Sequence, residues 1–342
     1  ELVHFRNRIG ESGIELILKE SIRVNGNDSN DSTASIDTTV QEKNITFPTD
    51  SKLHRKIIDK CRNIAEKENL PVRQSYTRTL KKLSLDQRFR NHPRNKWKAR
   101  KADRKEKTIA GRLVRELERN LSPDSRYQSD IDLFKRILNQ KKSDKNKIYS
   151  VHEPDVQCIS KGKEHKKYEF GNKVSIIYTQ TTGVIIGALG FRNPYDGHTI
   201  EPALEQTERL LGKRTLKTLI GDRGYKGKRQ INDTTIEIPK PFNNRKQSQY
   251  QQNKLKKQFR KRAAIEPING HLKTDHRLNR NFYKGITGDN INVMLAAAAF
   301  NFKRMMNKWK SSFWLEFKIQ IVDLIKAVFY QINNNLIRKW AF

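Results

Sequence analysis

Two different periods of apolar residues occupy the first fifty positions. Apolar side chains recur at helical spacing between Ile14 and Ile22, which predicts a helix. An Asn- and Asp-rich loop follows. In Ala34–Val40 the residues then alternate, with β-branched side chains on one side, and this predicts a strand. Asp37 stands in the middle of that strand.

Between Ser51 and Asn120 the helical period returns, as in Ile57–Ile64 and Ile109–Leu117, and it predicts several helices. These seventy residues contain 23 Lys and Arg against 8 Asp and Glu, a local charge of +15. Solvated helix faces account for some of the charges. An excess this one-sided favours a surface that binds a polyanion.

The pattern changes again after Ile148, where strands and helices alternate. We therefore expect an α/β fold with a mixed sheet flanked by helices, and with the basic helices inserted after the first strand. The predicted elements are a hairpin of Tyr168–Tyr178 and Gly183–Phe191, a helix over Ile200–Leu211, strands at Leu216–Ile220 and Thr235–Ile238, and helices over Lys254–Asp275, Asp289–Trp309 and Phe313–Ile332.

These changes of pattern divide the chain into five predicted segments. They are a remnant of an N-terminal helical region (1–33), the first strand of the α/β domain (34–46), a basic helical insertion (47–150), the rest of the α/β domain (151–300) and C-terminal helices (301–342).

Composition narrows the class of protein. The 342 residues carry a net charge of +33, with an isoelectric point of about 10.1, so the expected partner is a polyanion, nucleic acid first. The longest apolar run, Val293–Phe300, is too short to cross a bilayer. No export signal follows Glu1, and the two cysteines suggest neither a zinc site nor a disulfide framework. We expect a reducing, cytoplasmic and nucleoid-associated setting.

Three acids are placed where chemistry could need them. Asp37 lies inside a strand, where a carboxylate is costly unless it has a partner. Asp222 follows directly after a strand, where open α/β sheets bind ligands. Glu266 lies within Lys240–Arg280, which holds 12 Lys and Arg and only 2 acids. Two alternatives stay open at this point: Asp222 could simply form a turn, and Glu266 could form a surface ion pair with Arg262.

The surroundings of Glu266 suit a site for phosphates and metal ions. At helical spacing, one face would carry Arg262, Glu266, Asn269 and Lys273. Pro267 fits best in a first helical turn, so Arg262 could precede the regular helix. A carboxylate binds a hard divalent cation, while Arg and Lys hold phosphates. Two further carboxylates would complete a pair of Mg²⁺ or Mn²⁺ ions roughly 4 Å apart.

These residues also carry a resemblance to a known family. Gly221-Asp-Arg-Gly-Tyr-Lys-Gly227 resembles the second-aspartate motif of prokaryotic insertion-sequence transposases of the DDE, RNase H-like class. The spacing Arg262-x3-Glu266-x6-Lys273 resembles the signature around their catalytic Glu, and Ile36–Val40 resembles the strand of their first Asp. Further similar stretches are Leu2–Gly10, His152–Val156, Lys161–Lys163, Tyr168–Gly171 and Asn193–His198.

The resemblance implies an RNase H-like fold, similar to that of retroviral integrases, with Asp37, Asp222 and Glu266 as catalytic ligands of two Mg²⁺ or Mn²⁺ ions. It also implies nicking at transposon ends, followed by attack of the freed 3′-hydroxyl on target DNA. In the family, Arg262 and Lys273 would contact phosphates near the cut.

Two features depart from the family pattern. Phe259 stands where the signature has a Tyr, so a hydroxyl contact is lost there while stacking could survive. The chain also begins inside the family's N-terminal region, and we expect it to lack a part that helps in DNA-end recognition or dimerisation.

The expected partner is double-stranded DNA, both the terminal inverted repeats and the target, with a homodimer on DNA as a hypothesis. Trp97 could stack on bases, or it could anchor the core of the inserted helices. An inactive DNA-binding derivative and a basic RNA-binding protein are the alternative functions. Besides Arg262 and Lys273, the expected DNA-binding residues are Arg223, Lys226, Asn269, Lys96, Trp97, Lys98, Arg100 and Lys101.

Overall fold

The computed structural model describes residues 2–160, 166–212, 216–239 and 248–339. The Lys161–Lys163 stretch of the resemblance, residues 240–247 of the basic segment around Glu266, and positions 340–342 of the C-terminal segment lie outside the described residues. The chain forms two compact units. The sheet unit comprises Glu1–Thr39, Val174–Asn279 and Thr287–Phe342, and the helical unit comprises Val40–Lys173 and Arg280–Ile286.

A run of four helices follows the first strand, and strands and helices are mixed in the rest of the chain. In chain order they are α1 (Leu2–Arg23), β1 (Thr33–Lys43), α2 (Asp50–Lys67), α3 (Thr77–Asp86), α4 (Lys96–Asn120), α5 (Gln128–Asn139), β2 (Gln157–Ser160), β3 (Tyr168–Thr179), β4 (Ile185–Phe191), α6 (Ile200–Leu211), β5 (Thr218–Ile220), β6 (Gln230–Ile231), β7 (Thr234–Glu237), α7 (Gln249–Arg262), α8 (Ile265–Thr274), β8 (Arg280–Asn281) and α9 (Gly285–Lys339).

The described strands form a mixed sheet. Its order is β2-β3-β1-β5-β7-β6, with β4 paired to β3 and β8 paired to β1. Strand β5 runs parallel to both β1 and β7, and β8 runs parallel to β1, whereas β2 is antiparallel to β3 and β6 to β7. The prediction of a mixed α/β fold is therefore confirmed.

In the core of the sheet unit, helices pack against strands that are rich in β-branched residues and against the hairpin of β3 and β4. Ile14 and Leu18 of α1 are fully buried with Ile36 of β1 and Leu219 of β5. Helix α6 buries one face against β4 and α1. Burial of apolar side chains of this kind contributes most of the favourable free energy of folding.

The helical unit has an apolar core of its own. The positions with helical period, such as Ile57 and Cys61 of α2 and Leu113 of α4, are buried together with Phe134 of α5. Thr49 caps α2, since its side chain accepts a hydrogen bond from the backbone of Lys52. The exposed faces of these helices carry most of the unit's Lys and Arg residues.

Two helix predictions need correction. The helix predicted over Lys254–Asp275 is interrupted at Ala263 and Ala264, and α8 begins at Ile265 with Pro267 in its first turn. Proline is favourable there, because its missing N–H has no partner in a first turn. The two helices predicted over Asp289–Ile332 are one, α9. No helix among the described residues is long and apolar enough to cross a membrane.

Candidate active site

Parallel pairing of β1 and β5 brings two of the three predicted acids to neighbouring positions. The register pairs Ala34 with Leu219 and Ser35 with Ile220, where β5 ends. Asp37 and Asp222 each lie two residues beyond that last pair. Both carboxylates therefore belong to the carboxyl end of β5, the edge where parallel strands of α/β sheets bind ligands.

Asp37 lies between two residues from the segment around Glu266. The amide Nδ2 of Asn269 donates a hydrogen bond of 3.2 Å to its Oδ2, and Nη1 of Arg262 lies 3.9 Å from its Oδ1. Tyr178 of β3 holds the end of α7, because its hydroxyl donates to the carbonyl of Arg262. The Asp37 side chain keeps 20% of its surface exposed, so one side stays open to solvent.

Asp222 opens a tight turn whose glycines make room for it. Its Oδ1 accepts a hydrogen bond of 2.7 Å from the backbone N–H of Gly224. A Cβ on Gly224 would lie 2.9 Å from that same oxygen, and a Cβ on Gly221 would lie 3.1 Å from the ring of Tyr225. The turn-forming role of Asp222 is therefore real, and it orients the carboxylate at the end of β5.

Glu266 lies in the first turn of α8 and is exposed. Its carboxylate has no hydrogen bond or ion pair to any described residue, so the alternative of an ion pair with Arg262 is wrong for this structure. The opposite face of α8, with Ile265 and Ile268, packs into the core. Glu266 shares a helix face with Asn269, which contacts Asp37, because residues three apart are neighbours on a helix.

Asp196 joins these acids although the sequence reasoning did not select it. It begins a short 3-10 helix, Asp196–Thr199, before α6. The hydroxyl of Thr38 donates 3.0 Å to its Oδ1, and its Oδ2 lies 3.2 Å from the position that a Cβ on Gly224 would take. Asp196 is thus a neighbour of Asp222. Its place in the Asn193–His198 stretch of the resemblance was the available signal.

Tyr225 lies beneath this group of acids. Only 1% of the residue is exposed, and its hydroxyl lies within hydrogen-bonding reach of the Thr38 side chain. Burial raises the pKa of Tyr225, and the negative charges of Asp37, Asp196 and Asp222 raise it further. The phenol therefore stays protonated and offers a hydrogen to oxygen atoms nearby.

The donor chemistry of the group suits a hard divalent cation, since it consists of carboxylate oxygens with a hydroxyl beside them. The space that the missing Cβ of Gly224 leaves between Asp196 and Asp222 is lined by their oxygens. Within the described ranges, no three Asp, Glu, His or Cys side chains are yet close enough together to hold an ion.

The predicted DNA-binding residues near the acids differ in exposure. Arg223 and Lys226 are exposed in the turn after β5, while Lys273 is half-buried on α8. Arg262 ends α7 rather than continuing the helix of Glu266, so the four predicted residues do not share one continuous helix. Arg262 and Asn269 still meet, at Asp37.

The basic start of α4 is a second candidate DNA surface. Trp97 is 60% exposed, so it does not anchor the core of the helical unit, and that alternative is wrong. In the preceding turn, Phe89 is 78% exposed with a left-handed backbone, a feature that sequence reasoning missed. The other predicted DNA-binding residues of this segment are exposed as well: Lys96, Lys98, Arg100 and Lys101.

A cavity of about 660 Å³ lies elsewhere in the sheet unit, next to α9. Its lining includes His271, His276 and Lys303, and none of the three predicted acids. His271 pairs with Asp275 through Nδ1, at 3.0 Å. The cavity is therefore distinct from the acid group.

Comparisons with known proteins point to one family. The model of the transposase DDE domain matches residues 138–302, which contain Asp196, Asp222 and Glu266, whereas Asp37 precedes the match. The uncharacterized protein ORF8 in the nfe locus of Rhizobium meliloti is 38% identical over 95 residues, 26% of this chain and 46% of that protein. The chain thus spans about half the length of this curated relative. No solved structure matches it significantly. Residues 138–302 are thus similar to the transposase DDE domain, and this similarity supports a transposase of the insertion-sequence type.

Proposed function

We propose that this chain is a divalent-metal-dependent DNA transposase that cleaves DNA at transposon ends and joins the freed 3′-hydroxyl to target DNA. The supporting observation is the register of β1 and β5. It brings Asp37 and Asp222 to one end of the sheet, while Asn269 and Arg262 link Asp37 to the segment of Glu266.

In this proposal Asp37, Asp222 and Glu266 are the catalytic carboxylates that hold two Mg²⁺ or Mn²⁺ ions. When bound, the ions activate the attacking oxygen and stabilise the leaving oxygen. Displacement at phosphorus then depends mainly on positioning and charge neutralisation. Arg262 and Lys273 supply these for the phosphates of the cleaved strand.

The exposed cations beside the acids bind the same DNA in this proposal. Arg223 and Lys226 contact phosphates near the cut, and Asn269 orients Asp37 while lying close to the strand. Such contacts release counterions from the duplex, so affinity for DNA falls steeply with salt.

The start of α4 provides a second DNA-binding surface in this proposal. This α4 surface comprises Lys96, Trp97, Lys98, Arg100 and Lys101, which are far in sequence from Asp222 and Glu266. Its cations face solvent, and Trp97 offers an exposed ring for stacking on a base or wedging a base step. The neighbouring Phe89 adds a second exposed ring.

The same proposal covers fold and assembly. The sheet order, with Asp37 inside β1 and Asp222 just after its parallel neighbour β5, agrees with an RNase H-like domain in which the helices between β1 and β2 are an insertion. Two transposon ends require two active sites, and exposed apolar residues on α9, Trp309 and Phe313 among them, support a homodimer on DNA. A protein of this kind works on the nucleoid.

The test is nicking of supercoiled plasmid with Mn²⁺, comparing the wild type with Asp222→Asn and Glu266→Gln. Both variants should lose nicking by about two orders of magnitude, because a neutral amide cannot replace a carboxylate toward the cation. Their affinity for DNA, measured by fluorescence anisotropy, should stay near that of the wild type.

Asp233→Asn is the matched control, because Asp233 is an exposed turn residue of the same unit. It should nick as the wild type does. Full nicking by Asp222→Asn or Glu266→Gln would refute the assignment of the site. If the wild type cleaves no more than a variant without all three acids, the chain is a DNA-binding derivative without turnover.

A further inference from the structure

We propose that the cavity beside α9 binds a phosphate group, which a nucleotide or a nucleic-acid strand supplies. The cavity measures about 660 Å³, and its lining belongs entirely to the sheet unit. None of the three predicted acids lines it. The inference therefore goes beyond the proposed active site and does not depend on metal ions bound there.

One stretch of α9 supplies most of the positive charge of the cavity. Lys303, Arg304 and Lys308 line it, and Asp28 and Asp275 are the acids beside them. Among the described residues, three permanent cations thus face two carboxylates. An anion is the kind of ligand that this excess of positive charge attracts. Because the whole chain carries a charge of +33 and resembles proteins that act on DNA, phosphate is the expected anion.

The acids hold these cations in place without using all their hydrogens. Nζ of Lys303 donates a hydrogen bond of 2.9 Å to Asp275, and Nζ of Lys308 donates one of 3.0 Å to Asp28. Nη2 of Arg304 lies 4.0 Å from Asp28, which is too far for a hydrogen bond. An ammonium has three donor hydrogens and a guanidinium has five, so donors remain for the oxygens of a phosphate.

Two buried nitrogen atoms in the same lining independently indicate a hydrogen-bonding ligand. Nε of Arg304 and Nε2 of His276 are shielded from solvent, and neither has a hydrogen-bond partner among the described residues. Buried polar groups in native proteins almost always have a partner, and an arginine Nε can only donate. A phosphate in the cavity would offer acceptor oxygens to these groups after a small turn of the side chains.

The walls of the cavity suit a phosphate that carries a nucleoside. The ring of His276 packs edge-on against Phe300, with the ring centroids 6.1 Å apart, so the cavity has an aromatic wall beside its cations. Burial lowers the pKa of His276, and the charge of Lys303 lowers it further, so the ring is neutral near pH 7. The volume lies within the range of about 300–1,000 Å³ that is typical of small-ligand sites, and it exceeds what phosphate alone would fill.

The test titrates small ligands, because a duplex would also bind the other basic surfaces. Thymidine 5′-monophosphate is the probe, thymidine is the control ligand, and broadening of the ligand's proton NMR lines measures binding. Arg304→Gln should raise the half-saturating concentration of the monophosphate about tenfold, since it removes a charged donor. Lys310→Gln is the matched control, because Lys310 is exposed on the same helix outside the lining, and it should bind as the wild type does.

Asp28→Asn separates a binding role from a structural one. It removes a negative charge from the lining, so the monophosphate should bind about threefold more tightly. If Asp28 and the cations only hold the fold together, the same variant should bind no more tightly. Should Arg304→Gln fail to fold by circular dichroism, the titration of Asp28→Asn decides the question by itself.

A dinucleotide distinguishes the two sources of the phosphate. Thymidylyl-thymidine has one internal phosphodiester and no terminal phosphate. Its binding would assign the site to the interior of a strand, whereas binding of the monophosphate alone would assign it to a strand end or a free nucleotide. Either result supports the site. Equal binding of thymidine and its monophosphate, or an unchanged titration of folded Arg304→Gln, would overturn this inference and leave the proposed function intact.

Discussion

Two groups of carboxylates illustrate how differently this protein treats buried negative charge. In the helical unit, Glu106 of α4 is completely buried and pairs with Arg55, while Ser51 and Gln87 donate to its Oε2 at 2.7 and 2.8 Å. In the sheet unit, Asp37, Asp196 and Asp222 are half-buried and lie close enough to the buried Tyr225 that their negative charges raise its pKa.

The comparison contrasts a carboxylate that the fold itself neutralises with the carboxylates of the proposed active site. Both oxygens of the Glu106 carboxylate accept hydrogen bonds, from Arg55 and Ser51 of α2 and from Gln87 after α3, so the charge stabilises the packing of α4 on these elements. The three aspartates lie around the carboxyl end of β5, with Arg262 and Asn269 beside Asp37.

The largest expected effect is a loss of stability when the buried carboxylate of Glu106 in the helical unit is removed. Glu106→Ala removes one partner of a buried ion pair and should lower the free energy of unfolding by about 3–5 kcal/mol. Urea denaturation followed by circular dichroism measures it. Glu118→Ala is the control on the same helix, because Glu118 forms an exposed pair with Lys135 and should cost about 0–1 kcal/mol. Equal losses would mean that burial of Glu106 does not matter.

The next effect concerns the aspartates of the sheet unit and their response to a divalent cation. Mn²⁺ at about a hundred times its dissociation constant should raise the stability of the wild type by about 2.7 kcal/mol, because it binds only the folded state. Asp222→Asn should lose this gain, yet unfold no more easily than the wild type in EDTA. Thermal unfolding with and without Mn²⁺ measures both. Stabilisation of Asp222→Asn equal to the wild type would contradict the functional role of this group.

A third prediction concerns the α4 surface of the helical unit, where exposed Lys and Arg residues surround Trp97. Trp97→Ala should weaken DNA binding by about 1–3 kcal/mol, the worth of one aromatic ring stacked on a base. Trp97→Phe keeps a ring and should recover most of the loss. Anisotropy at fixed salt measures both. A uniform loss in both variants would indicate damage to α4 rather than lost stacking.

The smallest expected effect is the dependence of the helical unit's stability on pH. Burial lowers the pKa of His54, which is near Asp50, Lys107 and Glu106, below its ordinary value of 6.5. The unfolded chain then binds a proton that the folded one does not, so stability falls as the pH drops below 6.5. His54→Gln should flatten that fall in urea denaturation between pH 7.5 and 5.5. An unchanged slope would assign the dependence to other groups.

The local pattern of apolar and polar residues predicted most of the helices and strands. The apolar period marked Ile57 and Leu113 as core residues, the alternation marked β1, and a proline effect anticipated that Arg262 precedes the helix of Glu266. These features depend on neighbours in sequence, which is why the residue pattern alone was enough. The prediction of two C-terminal helices was wrong, because Lys310 and Ser311 interrupt the apolar pattern without interrupting the backbone of α9.

The candidate site was predictable only in part. Asp37 and Asp222 could be selected as a strand acid and a strand-end acid, and Glu266 through its basic surroundings and its signature spacing. The sequence around Asp196 did not distinguish it as a site residue, since a Tyr-Asp-Gly segment is equally typical of a surface turn. Its selection needed the contacts with Thr38 and Gly224, which join residues about 160 and 30 positions apart.

The sequence by itself determined where strands and helices form, the basic character of the helical region and the similarity of residues 138–302 to a transposase DDE domain. The tertiary structure decided which acids meet. The register of β1 with β5 aligns Asp37 with Asp222, and the loop before α6 adds Asp196. The physical reason is that side-chain period is a local property, whereas strand register and loop placement depend on long-range packing.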